Sequence, residues 1–240
     1  MRYKAVVSYD GTRYHGFQSQ KNALGIQQVI EKSFRLMTQT EIKIHSAGRT
    51  DKGVHAIAQV FHFDSDLNID TDSWLRINDR LPLDIRVKSV VKVNEDFHAR
   101  HSSVSKKYKY IIAKEPSSVF DANYEVYIRN LDIEPIKKAI PYFLGTHDYR
   151  GFCQLVKGKP TVKTIYSIDL KETKKHYIFT FHGNSFLKYM VRSMMGTLIQ
   201  IGLHRKKPEI IKEILETKDR HLAGKTAESR GLYLLKIYYK

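Results

Sequence analysis

Apolar and polar positions alternate along the chain in short runs whose period changes repeatedly. Near the N-terminus RYKAVVSY alternates with period two and ends at Asp10-Gly11-Thr12, which predicts a strand and a turn. In GIQQVIEKSFRLM the apolar residues Ile26, Val29, Ile30, Phe34 and Met37 recur at helical spacing, predicting an amphipathic helix. IKIHS and QVFHFD read as strands, the second with Phe61 and Phe63 on one face. TDSWLRINDRLP predicts a helix capped by Thr71 or Asp72 and stopped at Pro82. DIRVKSVVKV places Ile85, Val87, Ser89, Val91 and Val93 on one face of a strand, and Arg86, Lys88 and Lys92 on the other.

The second half uses similar parts. KKYKYIIA predicts a strand. IEPIKKAIPYFLG predicts a helix with Ile136, Ile140, Phe143 and Leu144 on one side. Pro141 falls inside it and predicts a kink or break, since an interior proline costs about 3 kcal/mol. TVKTIYSIDLK and HYIFTFHG predict a hairpin turning at ETKK. SFLKYMVRSMMGTLIQIG predicts a long apolar helix, PEIIKEILE a helix with Pro208 in its first turn, and GLYLLKIYY a closing strand. Strands and helices mix irregularly around a hairpin, so the expected class is α+β with a mostly antiparallel sheet. Each half runs roughly strand, helix, strands, helix, strand. The expected organisation is two structurally related domains, 1–103 and 104–240.

Charge narrows the partners. Lys and Arg number 41 against 25 Asp and Glu, a formal net charge of +16, which favours a polyanion. Tyr (15) and Phe (11) supply aromatic faces that suit unstacked bases, so nucleic acid is the expected partner class. The single cysteine, Cys153, excludes a disulfide within the chain and a cysteine zinc cluster, and implies a reducing compartment. The N-terminal apolar run is too short for a signal peptide, and no segment approaches the ~18 apolar residues of a membrane helix. The expectation is a cytoplasmic protein without a membrane partner.

Several chemistries lack their motifs. There is no GxGxxG, no phosphate-cradling Gly-rich loop and no HExxH. DSDLNIDTD, Asp64–Asp72, has the acids of a calcium loop but Ile69 where the turn needs Gly and Leu75 where the bidentate Glu belongs. Apart from pairs such as His98 and His101, the histidines are scattered without ligand spacing. No metal and no cofactor are expected.

One acid stands out. In SAGRTDKGVHA, Asp51 lies among Arg49 and Lys52 on a loop flanked by Gly48 and Gly53. Cationic neighbours should lower its pKa and keep it ionised, which suits a nucleophile or base. An isolated GRTDKG would ordinarily be a turn aspartate paired with its arginine. The rest of the chain changes that reading. YDGTRYHGFQSQ, GRTDKGVHA, His98-Ala99-Arg100, KKYKY, FLGTHDYRGF, NSFLKYMVRSMMGTLIQIG and GLYLLKIYY resemble, in order from Tyr3 to Tyr239, the motifs of the tRNA pseudouridine synthase A family.

The resemblance implies two related domains with mostly antiparallel sheets flanked by helices, in the pseudouridine synthase fold with ferredoxin-like halves. It places a basic catalytic cleft between them. It implies a cofactor-free isomerase that turns uridine into pseudouridine in the tRNA anticodon stem-loop, acting as a homodimer. Asp51 matches the catalytic aspartate and Arg192, in MVR, the basic residue that pairs with it. Tyr108 matches the tyrosine that stacks on the target uracil, Arg49 the arginine that takes the flipped nucleotide's place, and Leu232 an apolar residue near the base. His55 is grouped with the substrate-binding residues as one that shapes the loop, without a proton-transfer role. An aromatic that holds an everted base is worth about 1–3 kcal/mol. Attack at ribose C1′, attack at ring C6 and abstraction of a ribose proton remain open. The chain departs from the family's usual pattern at Gly25, at Tyr149-Arg150-Gly151 and at Glu228. Two other readings compete: a tRNA-binding protein without catalysis, and a metal-dependent nuclease, which would need clustered carboxylates.

Overall fold

Strand β1 (Arg2–Tyr9) buries every second residue, Tyr3, Ala5, Val7 and Tyr9, as its alternation requires. Helix α1 (Ile26–Thr38) buries Ile26, Ile30, Ser33 and Phe34, and Phe34 packs on Phe63, which stacks on Tyr3. The computed structural model describes residues 1–240 and separates by contacts into two units. The first comprises Met1–Val104 and Tyr233–Lys240, the second Ser105–Leu232. The closing strand, expected with the second half, therefore clusters with the first.

In the first unit β1 lies between β3 (His55–Asp64) and β4 (Ile85–Val93), antiparallel to both. The far end of β3 also pairs with β2 (Ile44–Ser46). The near end of β3 pairs in parallel with β10 (Leu232–Tyr239), through Tyr233 opposite His55 and Leu234 opposite Ala56. Phe34, Phe61, Phe63, Trp74 and Tyr3 form one aromatic cluster, with Phe34 and Phe63 centroids 4.9 Å apart and Phe63 and Trp74 5.0 Å apart. Each such side chain contributes roughly 1.5–3 kcal/mol of burial.

Two sequence expectations change here. Residues Ser73–Asp79 form a 3-10 helix, and its backbone amides at Asp72 and Ser73 donate to Asp70, not to Thr71 or Asp72. Strand β4 carries a bulge: Val6 faces Ser89 while Val7 faces Val87. The extra residue reverses the faces, so Val90 is buried opposite Ala5 and Val91 is exposed. Lys92 consequently lies opposite Tyr3, and the three cations expected on one face do not share it.

In the second unit β5 (Ser103–Ala113), β9 (His176–Gly183), β8 (Val162–Glu172) and β7 (Gly145–Asp148) pair antiparallel in that order. The short β6 (Val126–Tyr127) lies parallel to β5. β7 and β6 were not visible as strands in the sequence. The proline break occurs: α2 (Glu134–Ala139) gives way to a 3-10 turn over Ile140–Phe143. Leu144, expected on the inner side, lies beyond it and is exposed. The long apolar helix begins later than expected. Helix α3 (Met190–Gly202) is apolar nearly all round and buried, with Met190, Met194, Leu198 and Ile201 fully enclosed. No helix is long and apolar enough to cross a membrane. Helix α4 (Ile210–Thr217) buries Ile211 and Ile214.

Candidate active site

The loop that carries Asp51 is set by the N-terminal motif. Its backbone is anchored on both sides. Ala47 N–H donates to Val60 O at 2.8 Å and Gln59 Nε2 donates to Gly48 O at 2.8 Å. Phe17 N–H donates to Thr50 O at 3.2 Å, Gly53 N–H to Tyr14 O at 3.2 Å and Val54 N–H to Asp51 O at 3.1 Å. The Thr50 side chain is buried, and its Oγ1 meets the Tyr9 hydroxyl at 2.8 Å. Gly16 adopts φ +91°, and a Cβ there would stand 2.3 Å from Thr50 O. Only glycine satisfies both the dihedral and the approach. The loop is thus held rigidly up to Thr50, while Asp51 is half-buried and Arg49 exposed.

His55, at the start of β3, is buried. Its Nδ1 lies 3.1 Å from the Gly11 amide and 3.1 Å from Asp10 Oδ1, and its ring stacks on Tyr233 with centroids 4.7 Å apart. A neutral ring accepts from Gly11 N–H; a protonated one donates to Asp10. Either way His55 ties the Asp10-Gly11 turn to the strand that follows the Asp51 loop.

The second unit holds Tyr108, Arg192 and Leu232. Tyr108 is half-buried on β5, edge-on to Phe186 with centroids 5.1 Å apart and planes at 78°. Tyr110, on the same face of β5, donates its hydroxyl to Glu228 O at 2.9 Å. Arg192, on the first turn of α3, is half-buried; its Nε donates to Ala227 O at 2.7 Å, and Ala227 N–H donates back to Arg192 O at 3.0 Å. Residues 227–228 therefore link Arg192 to the face of β5 that presents Tyr108. Glu228 serves this link through its carbonyl. Leu232 is buried at the start of β10.

The acids of the calcium-like stretch have other work. Asp64 receives Arg2 at 2.8 and 2.9 Å, and Asp70 caps the 3-10 helix. No group of three or more His, Cys, Asp or Glu side chains converges as metal ligands. Cys153 is a buried free thiol whose pKa burial raises, which disfavours a nucleophilic thiolate.

Sequence reasoning missed Tyr189. This residue precedes α3 with φ 63°, a left-handed conformation that costs a side-chain-bearing residue energy. Lys188 Nζ lies 5.1 Å and Arg192 Cζ 5.3 Å from its ring centroid. The aromatic between two cations was legible as letters, but its backbone was not.

A family model described as tRNA pseudouridine synthase matches residues 5–102 and 139–240. The chain is 42% identical over 243 residues to tRNA pseudouridine synthase A 1 of Bacillus cereus, covering 99% of this chain and 98% of the relative. It is 43% identical over 248 residues to tRNA pseudouridine synthase A of Streptococcus uberis, covering 100% and 98%. For that of Exiguobacterium sibiricum the identity is 41% over 241 residues, covering 99% and 96%. The family match and these relatives make the chain an RNA-modifying isomerase, and it belongs to the tRNA pseudouridine synthase family.

Proposed function

We propose that this protein isomerises uridine to pseudouridine in the anticodon stem-loop of tRNA. The observation that carries the reading is the Asp51 loop. Its carbonyls and the Thr50 hydroxyl are pinned by the N-terminal motif, so one carboxylate stands half-exposed at a fixed place. In the reaction the C1′–N1 bond breaks, the uracil turns, a C1′–C5 bond forms, and the proton leaves C5 while N1 gains one. Atoms and electrons balance without an oxidant or a metal.

Asp51 is the nucleophile or base that acts on an everted nucleoside. Tyr108 stacks on the uracil, Leu232 bounds it, and Arg49 fills the gap in the stem. Arg192 is the cation that the family pairs with this carboxylate. His55 positions the loop. The +16 charge draws the polyanion at long range. The same reading puts the enzyme in the cytoplasm with its RNA and makes it a homodimer, which solution mass measurement tests.

The decisive experiment incubates Asp51→Ala and the wild-type enzyme with unmodified tRNA and maps pseudouridine by position. Product should vanish in the variant while tRNA affinity stays within about threefold. Loss of both together would favour a binding module, and wild-type product in another RNA alone would refute the substrate.

A further inference from the structure

We propose that the second unit carries a pocket for a backbone phosphate of the RNA strand, with Arg150 and Lys218 as its cationic rim and His221 as a further polar rim residue. The proposal rests on the RNA substrate proposed above. The cleft has a volume of about 680 Å³, ample for a nucleotide. It lies between the 3-10 turn Tyr149–Phe152, the start of α3 and the segment after α4. Tyr189 forms one wall, and Cys153 and Ser193 line it further in.

Its charges divide into fixed and available groups. Arg220 is committed to the fold, donating to Gly224 O at 3.1 Å, Ser193 Oγ at 3.3 Å and Thr226 Oγ1 at 3.1 Å. Arg150, Lys218 and His221 are exposed at the rim. Two acids oppose them. Asp219 accepts from His221 N–H at 2.8 Å, and Asp148 accepts from Arg150 N–H at 3.1 Å and lies 3.6 Å from Arg150 Nη2. That last separation exceeds a good hydrogen bond, so a phosphate competes for the guanidinium. The Cys153 thiol, kept neutral by burial, adds no negative charge.

The backbone has been shaped around this cleft. One of its lining residues, Tyr189, holds the left-handed conformation at φ 63°, while Lys218 at φ 62° is the left-handed cap that ends α4. Such strain concentrates at ligand sites. A Cβ on Gly151 would stand 2.6 Å from Ile214 Cγ2, so the turn bearing Arg150 is pressed onto the helix whose end bears Lys218. Gln154 N–H donates to Lys188 O at 3.0 Å, fixing the segment beside Tyr189. Because Tyr189 also touches Arg192, the phosphate received here belongs to a nucleotide close to the target uridine.

The test measures tRNA affinity against salt, and steady-state kinetics, for Arg150→Gln, Lys218→Gly and the double variant. Glycine suits the Lys218 backbone, so that variant should keep or raise Tm. Each single change should flatten the slope of log K against log salt by about 0.7–0.9. The double variant should raise KM about tenfold with kcat within about twofold. Unchanged slope and KM would overturn the proposal, as would a fall in kcat alone. If inorganic phosphate shifts wild-type Tm but not the double variant's, and tRNA binding is unaltered, the pocket serves a free anion and the RNA assignment fails. Flattened slopes in a protein that makes no pseudouridine would sink the enzymatic reading and leave the pocket standing.

Discussion

The hydroxyls of Tyr9 and Thr50 meet at 2.8 Å in a buried contact one residue before Asp51. Burial pushes the Tyr9 pKa up, so the phenol stays protonated as a donor or acceptor. Tyr9→Phe keeps the ring and strands the Thr50 hydroxyl, which costs about 1–3 kcal/mol. The expected result is a lower Tm and a kcat reduced about tenfold, with KM for tRNA little changed. Thermal melts and steady-state kinetics check it; a normal kcat would show that Thr50 does not set the Asp51 geometry.

Gly16 is the second support of the same loop. Gly16→Ala sets a Cβ 2.3 Å from Thr50 O and strains a φ of +91°. The Thr50 carbonyl cannot move without dragging Asp51, and a displacement near 1 Å costs about 10²-fold in rate. Melting should show a loss of about 1–3 kcal/mol, and turnover should drop by at least that rate factor. Gly25→Ala, at an approach of 2.5 Å to Gln18 O, is the comparison: it should destabilise without the same loss of turnover.

Much of this was legible in the letters, for physical reasons. Period-two runs such as RYKAVVSY become half-buried strands because one face must leave water, and the Pro141 break follows from a missing N–H. What stayed hidden depends on partners far away in sequence. The bulge that buries Val90 instead of Val91 appears only once β4 is matched to β1. The 3-10 geometry of Ser73–Asp79, the strand nature of Gly145–Asp148, and the left-handed Tyr189 likewise follow from tertiary pairing. Within the candidate site, residue types and order could be read from the family motifs. The anchors that hold them, Tyr9 on Thr50 and Ala227 on Arg192, could not.

Helix α3 offers a test of how Arg192 is placed. A Cβ on Gly196 would stand 1.8 Å from Lys225 O, with Ala227 N 3.2 Å away. Gly196→Ala therefore forces residues 225–227 off the helix and lengthens the Arg192–Ala227 pair. Overpacking of this kind costs about 1–3 kcal/mol or more. Arg192→Lys leaves the packing and the charge but removes the Nε donor. Both should lower kcat, and only Gly196→Ala should lower Tm markedly. A lysine variant with wild-type turnover would show that charge alone suffices.

The first unit also predicts an acid-sensitive fold. His62 is buried, with its Nδ1 accepting from Ala99 N–H at 3.2 Å and its ring 4.9 Å from His45 and 4.6 Å from His98. Burial, followed by the charges of His98, His45 and Arg2, lowers its pKa to about 4 from 6.5, against the opposing pull of Asp64. Burial also lowers the pKa of His98. The unfolded chain binds the proton that the folded one refuses, so stability is full above pH 6.5 and falls as pH drops towards 4. At 1.36 kcal/mol per unit the His62 contribution is about 3 kcal/mol. Denaturant unfolding followed between pH 7 and 4 should show that decline. His62→Gln keeps a backbone acceptor without a titrating ring and should flatten the curve, although it lowers stability at pH 7. An equal decline in this variant would assign the acid sensitivity to other groups, foremost His98, whose pKa burial also lowers.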